Sequence, residues 1–185
     1  MLTAIIIIVI IVALAFFLIS IYNALIRLRN QVKNAWSQID VQLKRRHDLI
    51  PNLIETVKGY MTHERATLEN ITKARSQAVQ AEGVGAKAKA EGELTSALGK
   101  FNLVVENYPD LKANQNFLSL QEELTSTENR ISFARQAYND QVLFFNNKIQ
   151  MFPSNIVAGM FSFKEEEFFQ IEDQKEKEVP KVSFQ

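Results

Sequence analysis

The chain has 185 residues, with 21 basic and 21 acidic side chains and no cysteine. That balance leaves no net field to recruit nucleic acid, and the lack of thiols excludes a disulfide framework, a thiolate metal site and a cysteine nucleophile. Setting aside an apolar N-terminal run of about 20 residues, the remainder suits one domain of ordinary size.

That run, residues 2 to 22, holds no charged side chain, and its polar members are Thr3, Ser20 and Tyr22. About 20 residues of helix span the ~30 Å hydrocarbon core of a bilayer. A cleaved secretory signal would carry a basic leading region and a small-residue cleavage site; neither is present, so the run reads as an uncleaved anchor, residues 1–22. Arg27, Arg29 and Lys33 follow it with no acid before Asp40. The positive-inside rule then places the long C-terminal part in the cytoplasm and the N-terminus outside. Tyr22, Arg27 and Arg29 fall at the membrane interface.

Beyond the anchor, Val32, Trp36, Ile39, Leu43, Ile50, Leu53 and Val57 recur in steps of three and four, interrupted at Arg46. This is a heptad seam of the coiled-coil kind, and its apolar stripe faces partner helices. No turn signal lies between Ile21 and Arg29, so the membrane helix is expected to run on into the soluble one. Pro51 removes one backbone donor and should kink the helix near residues 47 to 50 without ending it. Gly59 and residues 62 to 64 mark a break, after which Leu68, Ile71, Ala74 and Ala78 carry a second helix to about Glu82. Gly83-Val84-Gly85 reads as a loop. A third helix covers 86–107, and Tyr108-Pro109-Asp110 ends it. A long helix follows from about Leu111 to Met151 with Phe117, Leu120, Leu124, Ile131, Tyr138 and Phe145 on its stripe, closed by Phe152-Pro153.

No strand-like alternation appears. The expected fold is all-α: a single transmembrane helix continuing into an antiparallel up-and-down four-helix bundle, residues 23–153. If the first helix ignores the break near Gly59, three long helices result instead. Residues 154–185 form an aromatic and charged C-terminal tail. The segment 152–163 carries Phe152, Ile156, Val157, Met160, Phe161 and Phe163 to bury, either in the membrane interface or against the bundle or a neighbouring subunit. The Phe pairs at 144–145 and 168–169 look exposed.

The constellations that could carry chemistry are thin. His47 and His63 lie 16 apart, about 160° around a straight helix, with no second ligand at i+4; both read as surface residues, and no metal or cofactor is expected. No Walker loop, dinucleotide fingerprint or nucleophile elbow occurs, so the chain is not expected to be an enzyme. Arg46 sits on the seam and needs a partner from a facing helix; Glu122, Glu128 and Asn129 are the candidates.

The stretch YNALIRLRNQVKNAWSQIDVQLKRRHDLIPNLIETVKGYMTHE at 22–64, with YPDLKANQNFLSLQEELTSTENRISFARQAYND at 108–140 and NNKIQMFP at 146–153, resembles the LemA family. The resemblance covers nearly the whole chain. It implies a single-pass, chiefly bacterial membrane protein with a cytoplasmic four-helix bundle and no catalytic residue to carry over. Family members are associated with membrane metalloproteases and with membrane organisation, including magnetosome-type compartments. The expected function is a non-enzymatic, membrane-anchored scaffold that self-assembles as a homo-oligomer in the bilayer. The alternative is an adaptor for a membrane metalloprotease or an envelope-stress system.

Overall fold

A computed structural model describes residues 1–170; the charged end of the tail lies outside the described residues. Six helices follow one another: α1 (Leu2–Val57), α2 (Arg65–Gln80), α3 (Val84–Val105), α4 (Pro109–Lys112), α5 (Gln115–Gln150) and α6 (Ser154–Met160). No strand occurs among the described residues. The fold is all-α with a long apolar N-terminal helix, as the periodicity leads one to expect. The described residues form two compact units, Met1–Asp40 with Phe133–Phe168, and Val41–Ser132 with Phe169. Helices α1 and α5 each contribute to both.

In the first unit, α1 begins as a bare apolar rod. Residues 2 to 20 are exposed all round, and their most apolar 18-residue window has a mean hydropathy of 3.5. Burial starts at Ile21 and Leu25 and continues through Val32 and Ile39, and on the α5 half Tyr138, Val142, Phe145 and Ile149 are buried as well. Trp36 lies against Tyr138, ring centroids 5.4 Å apart. After α5 the chain turns through α6, which buries Val157 and Ala158. Ser162 takes a left-handed φ of 55°, and the Phe163 amide closes the α6 end on the Ala158 carbonyl at 2.9 Å.

Residues 163–168 then run back along α5, held through their backbone. The Asn146 amide donates to the Glu166 carbonyl and accepts from the Glu166 N–H, both at 2.9 Å. The Tyr138 hydroxyl donates to the Glu167 carbonyl at 2.8 Å. Residues 163–168 thus belong to the first unit. The Phe pairs also differ from the expectation: Phe144 is exposed while Phe145 and Phe169 are buried. On a helix such as α5 adjacent residues point about 100° apart, so Phe144 and Phe145 cannot share one face.

The second unit builds its core from α1 after Val41, α2, α3, α4 and the first half of α5, around Ile50, Leu53, Ile71, Leu94, Phe101, Leu111 and Phe117. Helix α1 passes through Pro51 and stops at Val57, so the break near Gly59 is real and the three-helix alternative does not hold. Helices α2 and α3 pack on one another, through small buried side chains that include Ala74, Ala78, Ala88 and Ala90. Gly83 links them at φ 82°, a conformation that glycine adopts without the Cβ penalty. Two boundaries differ from the sequence reading. Helix α3 starts at Val84, since a first-turn glycine such as Gly85 costs little where amides are unpaired anyway. Helix α5 starts at Gln115, because Pro109 opens a separate turn and the Asn114 side chain caps the new helix, accepting the Phe117 N–H at 3.1 Å.

Candidate functional site

Seam register decides what surrounds Arg46. Val32, Ile39, Leu43, Ile50, Phe117, Ile131 and Tyr138 are buried, and Trp36, Leu120 and Leu124 are partly so. Arg46 takes the α1 seam position between Leu43 and Ile50 and is buried with its neighbour His47. From α3, Glu91 (1% exposed) reaches both: its Oε2 lies 3.4 Å from the Arg46 guanidinium and its Oε1 2.6 Å from His47 Nε2. An ionised carboxylate only accepts, so His47 Nε2 carries the donated proton. The second Arg46 nitrogen meets Thr95 Oγ1 at 2.9 Å and Glu128 at 3.0 Å. At the rim, Arg45 pairs with Glu123 at 2.7 Å, both half exposed.

Of the partners expected for Arg46, Glu128 is present and Glu91 was missed. The Leu94–Leu98–Phe101 stripe, carried back three residues, lands on Glu91. The surface reading of His47 is corrected by the same carboxylate, which draws the ring inward, whereas His63 is exposed.

Pro51 completes this cluster from the backbone side. In an α-helix the amide four residues on would bond the His47 carbonyl, and proline has none. Arg75 of α2 supplies the missing donor, its Nε 2.6 Å from the His47 carbonyl oxygen. The helix thus continues past the proline because a neighbouring helix fills the gap. Arg75→Ala should cost about 1.5–3 kcal/mol, the range for a hydrogen bond from a charged donor. In a Pro51→Ala background, where the backbone amide returns, the cost should fall to about 1 kcal/mol or less. Equal costs in both backgrounds, measured by denaturant unfolding, would show that the two residues do not act on one carbonyl.

The other predicted site residues gather in the first unit. Tyr22 stacks with Phe161 at 4.7 Å and meets Phe163 edge-on at 6.0 Å. The Arg29 guanidinium lies 5.2 Å from the centre of the Phe163 ring, a cation–π distance, and its buried Nε meets no acceptor among the described residues. Arg27 is exposed.

Chemically, the Arg46 cluster is saturated by its own members. Next to it, and lined in part by Arg46, Thr95 and Glu128 themselves, lies a cavity of about 250 Å³ that Leu53, Phe101 and Phe117 also border. Among the described residues no group of three His, Asp or Glu is placed to hold a metal ion. A wider groove of about 1020 Å³ runs between α1 and α2, with Ile54, Met61 and Leu68 on its walls and Lys58, Arg65, Lys73 and Glu69 around them.

An apolar exposed span running into an all-helical, internally paired domain defines a membrane-associated helical protein with one candidate span. The LemA family model matches residues 35–184, and the chain belongs to the LemA family. It is 32% identical to "Protein LemA" of Metamycoplasma hominis over 137 residues, 74% of this chain and 63% of that protein. It is also 25% identical to "Magnetosome protein MamQ 2" of Paramagnetospirillum magneticum, over 80% of this chain and 64% of that protein. The MamQ magnetosome protein of Magnetospirillum gryphiswaldense is 23% identical over the same shares, 80% and 64%. The matched stretches span a little under two thirds of each relative's length.

Proposed function

We propose that this protein is a non-enzymatic, membrane-anchored helical scaffold, self-assembling in the bilayer and holding its helical domain at the cytoplasmic face. The observation that carries this reading is α1 itself, one helix from Leu2 to Val57. Its first third has only lipid-compatible surface, and its last third makes the Arg46–Glu91 pairing. Arg27, Arg29 and Lys33 support the cytoplasmic orientation. Likeness to magnetosome proteins supports a part in membrane organisation. In native membranes, a short amine-reactive crosslinker should yield a ladder of multimers at low expression levels. Monomers alone at every concentration would end the self-assembly reading.

An adaptor for a membrane metalloprotease or an envelope-stress system is the second reading. It is favoured by the groove between α1 and α2, which has the mixed apolar and charged rim of a polar-rimmed interface. Affinity capture that returns the chain alone counts against it.

A further inference from the structure

We propose that the turn between α5 and α6 is a second membrane contact, seated in the interfacial layer of the leaflet from which α1 emerges. This rests on α1 being the membrane span.

The level of this turn follows from the pairing of α1 and α5 within the first unit. Trp36 meets Tyr138, while Phe163, which packs on Phe145 at 6.3 Å, meets Tyr22 and Arg29. Rising numbers on α5 therefore correspond to falling numbers on α1. Fourteen residues separate Trp36 from Tyr22, about 21 Å of helix; twelve separate Tyr138 from Gln150 at the end of α5, about 18 Å, and Phe152 lies two residues further, in the turn. Phe152 thus stands close to the level of Tyr22, where the bare apolar span ends and protein burial begins.

What the turn presents at that level is apolar. Phe152 is 79% exposed and Met160 70%, with Met151, Ile156 and Phe161 also open. Helix α6 faces two ways: Val157 and Ala158 are buried against the unit, while Ile156 and Met160 point away from it. Singly, such residues are ordinary on a surface; gathered on one edge they mark an interaction site.

The occupant is identified by continuity. Phe161 belongs to the open edge and also stacks on Tyr22 at 4.7 Å, so the patch joins the exposed surface of the span. A bilayer covering residues 2 to 20 reaches the patch without a gap. The short amphipathic helix, aromatic side chains and neighbouring Arg27 and Arg29 match the composition of interfacial segments, whose apolar faces sit ~5–10 Å into the headgroup boundary. Arg29, about 10 Å further along α1 than Tyr22 and with its Nε unpartnered among the described residues, adds a cation just above that level.

The chain has no cysteine, so a nitroxide can be placed at one chosen position. Full-length protein carrying Phe152→Cys, Ile156→Cys or Met160→Cys is labelled and reconstituted in phosphatidylcholine–phosphatidylglycerol vesicles. Ile8→Cys serves as the span control and Gln136→Cys, exposed on α5, as the aqueous one. Power-saturation spectra should show an oxygen-to-nickel-chelate collision ratio several-fold higher at 152, 156 and 160 than at Gln136, though below that at Ile8. Nickel access equal to that at Gln136, with Ile8 in lipid, would show a solvated turn and overturn the proposal. Protection from both reagents would show protein covering the patch, a second copy included, and would overturn it too. A label at Ile8 outside lipid would defeat the anchor reading and this one together.

Discussion

Replacing Glu91 with alanine should lower the unfolding free energy by about 3–5 kcal/mol, the usual cost of removing one partner from a buried ion pair. Glu91 is 1% exposed and serves two buried bases at once, Arg46 and His47. Without it, His47 Nε2 loses its acceptor, while Arg46 keeps Thr95 and Glu128, the latter 44% exposed at its side chain. A half-exposed carboxylate cannot offset a buried guanidinium, because water screens it. Thermal unfolding of the detergent-solubilised chain should show the midpoint falling by about 6–20 °C, from roughly 2–4 °C per kcal/mol at this size. Glu91→Gln keeps the shape and an acceptor oxygen and should fall between the two. A Glu91→Ala midpoint within about 2 °C of wild type would mean the cluster contributes little, as some buried pairs do.

Tyr138→Ala should be comparably damaging, about 3–5 kcal/mol, the range for removing a large aromatic side chain from a core. Tyr138 is 1% exposed, stacks on Trp36 and donates to the Glu167 carbonyl. Its loss should free residues 163–168 from α5, read as faster proteolysis after Lys164. Tyr138→Phe isolates the hydroxyl and should cost about 1 kcal/mol. The phenol also titrates late: burial first, then the nearby Glu166 and Glu167 carboxylates, push its pKa up to about 12. The native state thus holds this proton where an unfolded tyrosine, at about 10, has released it. The hydroxyl's contribution is complete below pH ~10 and is lost as pH rises through about 12. The stability difference between wild type and Tyr138→Phe should therefore shrink over that alkaline window. An unchanged difference would contradict the buried, donating phenol.

Much of this architecture is legible in the sequence because local rules govern it. Apolar length picks out the candidate span, and three-four spacing picks out residues of which Val32, Ile39, Leu43, Ile50, Phe117, Ile131 and Tyr138 are buried. Gly59 and Pro109 mark chain breaks where they fall. The site is less legible because it depends on which helix faces which. Arg46, Glu91 and Glu128 come from three helices, and no local pattern sets their rotational phase. The role of Glu91 shows only once α3 is placed beside α1. Arg75 answers a vacancy created by Pro51, and only the packing of α2 shows that it is near enough. Asn146 looks like any polar helix residue, yet it holds a returning backbone by both ends of its amide. His47 was misread for the same reason: its burial is decided by a carboxylate 44 residues away.

Anchoring by α1 and assembly with copies of itself are what is proposed for this member of the LemA family. Mass measurement on protein extracted with its surrounding native membrane, without prior detergent, tests this most directly. The account predicts a principal species at an integer multiple, greater than one, of the 21.1 kDa chain. A single 21.1 kDa species at every expression level, in membrane patches large enough to hold several copies, would contradict it.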